Sequence, residues 1–202
     1  MDANTFFAQF VDAVVETAVY DEGRLYFDIY KDDEPTFTKI INKIVVPKII
    51  KNDGLEYQNE YFRIDTIGWR PKYQKIPEDR AKHIKMKRHL WDLKIAVEHE
   101  NDKSDWTDEL IKLAHIRCPL KVVIGYVNCD ERDEIEVQKL RYAYDCLEQT
   151  NAFDLNADEE FLIVLGNGAP RKNKEKPYDK FDYRAYLLSK EEKRFIETRI
   201  KK

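Results

Sequence analysis

Leu93-Lys94-Ile95-Ala96-Val97-Glu98-His99-Glu100 is the stretch on which the reading of this chain turns. Alternate side chains of an extended segment share a face. A strand here sets Glu98 and Glu100 on the side of Lys94 and Ala96, and Leu93, Ile95, Val97 and His99 on the other. Neighbouring carboxylates repel one another unless a cation or a proton neutralises them. Asp65 lies on a second predicted strand, Tyr61 to Trp69. Brought alongside by sheet pairing, Asp65, Glu98 and Glu100 would form a three-carboxylate pocket for a hard divalent cation such as Mg²⁺. The competing reading of the same residues is an exposed polar strand end.

Working outward, helical spacing of Phe6, Phe7, Phe10, Val11, Val14 and Ala18 predicts an amphipathic helix over 3–20. A second helix is expected over 35–51, with Pro35 in its first turn and a break or kink at Pro47. Asn52-Asp53-Gly54 signals a turn before strands at 55–59 and 61–69. The acidic strand spans 90–99. A helix follows over 105–116, with Ser104 or Asp105 available as its cap. Leu120 to Val127 reads as a buried strand, 131–149 as a helix and Phe161 to Leu165 as a strand. Gly166-Asn167-Gly168 reads as a turn, 181–188 as a strand and 190–201 as a charged helix. This order predicts an α/β fold, a mixed sheet flanked by α-helices on both faces. At 202 residues, the expectation is one domain over 1–202.

Several function classes are excluded by pattern. Cys118, Cys129 and Cys146 are odd in number and lack a paired spacing, which argues for free thiols in a reducing cytoplasm rather than a disulfide scaffold. No apolar run approaches a membrane span, and the first residues read as a helix rather than a signal peptide. His83, His89, His99 and His115 show no metal-ligand spacing on one face. Gly166-Asn167-Gly168 lacks the third glycine and following helix of a dinucleotide fingerprint, and no Gly-x-Ser-x-Gly elbow occurs. Net charge is −4, so a polyanion would have to meet a local basic patch. Residues 70–88 supply one: Arg70, Lys72, Lys75, Arg80, Lys82, Lys85, Lys87 and Arg88 against Glu78 and Asp79, with Trp69, Tyr73 and His83 interspersed for stacking. A solvated loop is the plainer reading of that segment. Arg171 to Lys176 is a weaker second patch.

Helix, three strands, helix, strand, with Ile64-Asp65 on the second strand and Glu98-His99-Glu100 on the third, resembles the restriction-endonuclease-like PD-(D/E)xK nucleases. The resemblance covers roughly residues 3–127 and takes a Glu-x-Glu form, with Glu100 where the family places a lysine. It implies Mg²⁺- or Mn²⁺-dependent hydrolysis of phosphodiester bonds, in DNA more than RNA, with a homodimer where both strands are cut. Asp65 and Glu98 would be the principal ligands, joined by the His99 carbonyl. Glu100 would accept a proton or hold a second cation. Lys112 on the next helix is the candidate for a relocated lysine, and Glu16 on the first helix a further acidic residue for the pocket. Lys94, six positions back from Glu100, is too far along the strand to substitute. The alternative is a catalytically inactive nucleic-acid-binding or regulatory protein of the same fold. The acidic stretch 130–160 would then be a protein-binding surface.

Overall fold

Every residue of Leu120–Val127 is buried, and that strand explains the architecture. A strand buried on both faces must be covered on both. Leu120, Val122, Ile124 and Tyr126 enter one apolar cluster; Val123 and Val127 enter a second on the opposite face. Leu162 and Val164 join the first, and Phe161, Ile163 and Leu165 the second. The period of two has divided these strands cleanly between two cores.

The computed structural model describes residues 1–17, 19–20, 24–71, 82–84, 91–128, 134–150, 158–168 and 181–198. The elements in chain order are α1 (Ala3–Glu16), β1 (Val19–Tyr20), β2 (Arg24–Leu25), α2 (Tyr26–Asp32), α3 (Glu34–Ile40), α4 (Val46–Asn52), β3 (Glu56–Tyr61) and β4 (Ile64–Pro71). Then come β5 (Trp91–His99), α5 (Trp106–Ala114), β6 (Leu120–Val127), α6 (Ile135–Glu148), β7 (Glu160–Asn167), β8 (Arg184–Ser189) and β9 (Arg194–Thr198). A π-helical turn, Ile41–Val45, joins α3 to α4. Strands β3 to β9 form one sheet in sequential order, while β1 and β2 pair separately. Pairs β3–β4, β4–β5, β7–β8 and β8–β9 are antiparallel; β5–β6 and β6–β7 are parallel. Parallel neighbours need a crossover, and α5 and α6 supply the two. Both pack on the second cluster, whereas α1 to α4 cover the first. This is the expected mixed sheet with helices on both faces.

Several boundaries and one element differ from expectation. The first helix ends at Glu16, capped at its start by the Asp2 carboxylate on the Thr5 N–H at 2.7 Å. The helix expected over 35–51 is three pieces: α3, the π turn, and α4 with Pro47 in its first turn. Ile41, Val45 and Val46 all keep right-handed helical backbone, so Pro47 lies within a continuing helix; it has no N–H to donate, and the Asn42 carbonyl upstream accepts from the Asn59 side chain at 2.6 Å. Helix α2 and the β1–β2 pair were not expected. Ser104 does not cap α5 but bonds Asp102, and Asp105 occupies the cap position without a side-chain bond. Gly166 lies inside β7 rather than in a turn, where a Cβ would meet the rings of Tyr183 and Tyr126. In place of the charged helix expected over 190–201, the described residues form a turn and β9, paired with β8 from Ser189↔Arg194 to Ala185↔Thr198, and 199–201 lie outside the described residues. Lys193 takes a left-handed φ of 52° in the connecting turn, and Phe195 is buried in the second cluster. Pairing and that anchor override the helical propensity of a lysine- and glutamate-rich segment.

Gly68 shows how tightly β4 is held. A Cβ there would lie 2.7 Å from Ile95 Cγ2 and 2.8 Å from Ile50 Cγ2. Both neighbours are branched, fully buried core residues. Gly68→Ala is therefore expected to cost about 1–3 kcal/mol, read as a lower urea midpoint with an unchanged denaturant slope. Among the described residues no helix is long and apolar enough to cross a membrane. Cys118 and Cys146 are free thiols, Cys118 buried; Cys129 lies outside the described residues.

Candidate acidic site

The β4–β5 register pairs Thr66 with Val97, so Asp65 and Glu98 stand opposite each other one step further along. They share the face covered by α5, with Ile67 and Ala96 as their neighbours on it. The contact is direct. The Asp65 N–H donates to Glu98 Oε2 at 3.3 Å, and the His99 N–H donates to Asp65 Oδ2 at 2.8 Å. The Asn42 side chain, carried by the π turn, adds a further hydrogen bond to Asp65. Single π turns of this kind often re-aim one residue toward a site.

Lys112 completes the arrangement from above. Its Nζ lies 2.9 Å from Glu98 Oε1, donates to the Arg63 carbonyl at 3.0 Å and pairs with Glu109 one turn back. Two carboxylates, Glu98 and Glu109, thus hold one ammonium, with Asp65 beside Glu98. Glu98 is 1% exposed. Burial, and then the charges of Asp65 and Glu109, push its pKa up to about 8, against the pull of Lys112. Burial also raises Asp65, partly offset by the His99 N–H and Asn42. For Lys112, burial works against the ammonium, and its bonds to Glu109 and Glu98 outweigh it, leaving the pKa raised.

The expected site is therefore assembled in part and altered in part. Asp65, Glu98 and Lys112 come together. Glu100 does not join them: beyond the end of β5 its carboxylate accepts the Asp102 N–H at 2.8 Å, and burial raises its pKa. Glu16 is also elsewhere, at the exposed end of α1 in an ion pair with Lys48. The His99 ring points to the opposite face, where Nε2 lies 3.0 Å from the Tyr126 hydroxyl. Burial pulls its pKa down to about 3, so the ring is neutral at physiological pH. Lys94 is engaged by Asp92 at 2.9 Å. Leu93 packs with the second cluster rather than beside Ile95, across the register shift at Gly68/Trp69.

The basic segment leaves the sheet at the end of β4 and β5 opposite to the acids. It links Pro71 to Trp91, which are paired with each other. Pro71 lies six positions along β4 from Asp65, about 20 Å along a strand. Adjacency in sequence to both halves of the site does not make its base adjacent in space. Arg70 and Lys82 are exposed; Lys72, Lys75, Arg80, Lys85, Lys87 and Arg88 lie outside the described residues, as does Arg171 to Lys176.

Two participants escaped the sequence reading. Glu109 had a faint signal, its three-residue spacing from Lys112 on an amphipathic helix. Asn42 had none, because its aim depends on the extra residue in the π turn. Among the described residues, no three His, Cys, Asp or Glu side chains gather closely enough to hold a metal ion by themselves. The donor chemistry nevertheless suits a hard cation bound by two carboxylates. Mg²⁺ commonly takes one or two protein carboxylates and fills its shell with water and phosphate oxygens. The buried Glu98, beside two further carboxylates and a single ammonium, is short of positive charge. The chain matches no protein-family model, no curated protein and no solved structure.

Proposed function

We propose that the protein is a metal-dependent nuclease of the restriction-endonuclease-like class, with Asp65 and Glu98 as cation ligands and Lys112 in place of the motif lysine. The observation that carries this reading is the Lys112–Glu98 contact of 2.9 Å. A lysine has come from the following helix to the carboxylate that lacks one two positions along its own strand. The meander β3–β4–β5, the α5 crossover and parallel β6 also agree with the element order of that class. Bound Mg²⁺ or Mn²⁺ would neutralise the phosphate and activate a water. The chain's own residues would do the rest. The His99 N–H and Asn42 orient Asp65, Lys112 orients Glu98, and the Lys112 ammonium offers positive charge to the phosphate oxygens as negative charge builds on them. Cleavage of both strands of a duplex would draw on two such sites, which is the basis for a homodimer.

Incubation of the full chain with plasmid and single-stranded DNA tests the reading. Cleavage with Mg²⁺ or Mn²⁺ that EDTA abolishes supports it. Intact DNA under all these conditions overturns it, and DNA binding without cleavage would then favour the inactive relative of the same fold. Cation binding should also depend on pH with a definite sign. Glu98, pushed up to about 8, must lose its proton to act as a ligand. Mg²⁺ affinity measured by calorimetry is therefore expected to rise about tenfold per pH unit below that value and to level off above it. A flat profile would mean that Glu98 takes no part.

A further inference from the structure

The β3–β4 hairpin closes with a two-residue loop of the wrong composition. Tyr61 pairs with Ile64, leaving Phe62 and Arg63 as the loop. Both have left-handed φ, 49° and 64°, and Glu60, on the other side of Tyr61, has 54°. Loops with two such residues are ordinarily Asn-Gly, because Cβ crowds the carbonyl oxygen in that conformation, a cost that glycine avoids and asparagine offsets by local hydrogen bonding. Here the positions hold a phenylalanine and an arginine. Local chemistry and local conformation disagree, which is the pattern found where a site rather than stability has chosen the residues.

What the loop presents is specific. Phe62 is 80% exposed, the most exposed large apolar side chain among the described residues. Its ring is steadied edge-on by Tyr61, with centroids 4.6 Å apart. Arg63 beside it is exposed. The loop is fixed to the acidic site, since the Arg63 carbonyl accepts from the Lys112 Nζ that also touches Glu98. Asp65 is two residues further on. A flat apolar ring with an adjacent guanidinium suits a nucleobase and its phosphate. Bases inside a duplex have their faces covered by stacking, so the ring can be used only by an unpaired one.

We propose that Phe62 and Arg63 form a stacking platform that seats an unpaired nucleotide beside Asp65 and Glu98, making single-stranded nucleic acid the preferred substrate class. This rests on the nuclease reading for its substrate but is tested by binding alone. Full-length protein in EDTA, where no cleavage occurs, is titrated into a short single-stranded oligodeoxynucleotide carrying the fluorescent base 2-aminopurine, and into its duplex. The single strand is expected to bind more tightly, with the base fluorescence quenched. Phe62→Ala should weaken that binding about tenfold, and Phe62→Trp should restore it. The double change Phe62→Asn with Arg63→Gly should weaken it as well while raising the thermal midpoint, because the turn then has its favoured residues. Loss of affinity together with a gain in stability is not an outcome of simple damage. Equal binding by Phe62→Ala and the parent, a preference for duplex, or no binding to either would overturn the proposal. Phe62-dependent binding without cleavage in Mg²⁺ would leave it standing and remove the nuclease reading. Cleavage of single strands unchanged by Phe62→Ala would do the reverse.

Discussion

Glu98→Gln is expected to abolish metal-dependent cleavage and, above about pH 8, to leave the fold at least as stable as before. The two effects have one cause. Glu98 is almost fully buried, next to Asp65 and Glu109, and ionises only near pH 8 rather than at its ordinary 4.5. Between those values the folded protein holds a proton that the unfolded chain has released. The folded state binds more protons, so stability falls as pH rises through this window. It is fully present below about 4.5 and lost by about 8. Glutamine cannot ionise, so this part of the pH slope should vanish in urea titrations of the metal-free protein. The same substitution removes an anionic ligand from the cation. Loss of an outer-sphere partner typically costs a factor of 10–100, and losing a direct ligand should exceed about a hundredfold in cleavage rate. Retained cleavage in Glu98→Gln would show that the carboxylate is not a ligand. An unchanged pH slope would show that it is not the group that titrates. Asp65→Asn should cost comparable activity. Lys112→Ala, which leaves Glu98 without its ammonium, should raise the pH at which cation binding levels off.

Arg184→Ala is expected to cost about 3–5 kcal/mol of stability, the usual penalty for stranding one member of a buried ion pair. Arg184 is 5% exposed and Glu136 is 1% exposed. The guanidinium donates from Nε to Glu136 Oε1 at 2.9 Å, from Nη2 to Glu136 Oε2, and from Nη1 to the Asp182 carbonyl at 2.7 Å and Asn167 Oδ1 at 3.2 Å. The Tyr186 hydroxyl also donates to Glu136. This network ties the start of β8 to the first turn of α6 and the end of β7. Without the arginine, Glu136 keeps one neutral donor in a dry site. Because native stability is of order 5–15 kcal/mol, the loss should be visible as a large drop in urea midpoint. Glu136→Leu combined with Arg184→Met should recover most of it, since replacing both partners leaves no stranded charge. A double variant no better than Arg184→Ala would show that the network supplies net stability and not only its own mutual compensation.

Elements whose identity rests on local pattern were legible in the chain. The short apolar, β-branched run Leu120–Val127 predicts a buried strand. Helical spacing of Phe6, Phe7 and Phe10 predicts α1, and the order of strands and helices predicts a mixed sheet covered on both sides. Asp65 and Glu98 were legible as a pair because each strand fixes its own face and an antiparallel meander brings the two together. Lys112 was legible only as a candidate, since a helix lysine in sequence looks the same whether it faces solvent or a carboxylate.

Tertiary structure alone decided what depends on partners distant in sequence. Strand β9 lies in a segment rich in lysine and glutamate, and pairing with β8 and burial of Phe195 hold it extended. Glu100 has the parity of Glu98, yet the strand ends before it, and the backbone N–H of Asp102 takes its carboxylate. The basic segment is the neighbour of both acidic strands in sequence, but an antiparallel pair joins its strands at one end and held its acids at the other. Faces and periods are properties of consecutive residues, so sequence carries them. Register, strand ends and helix docking are set by contacts between remote segments, and their free energy exists only once the chain has closed on itself.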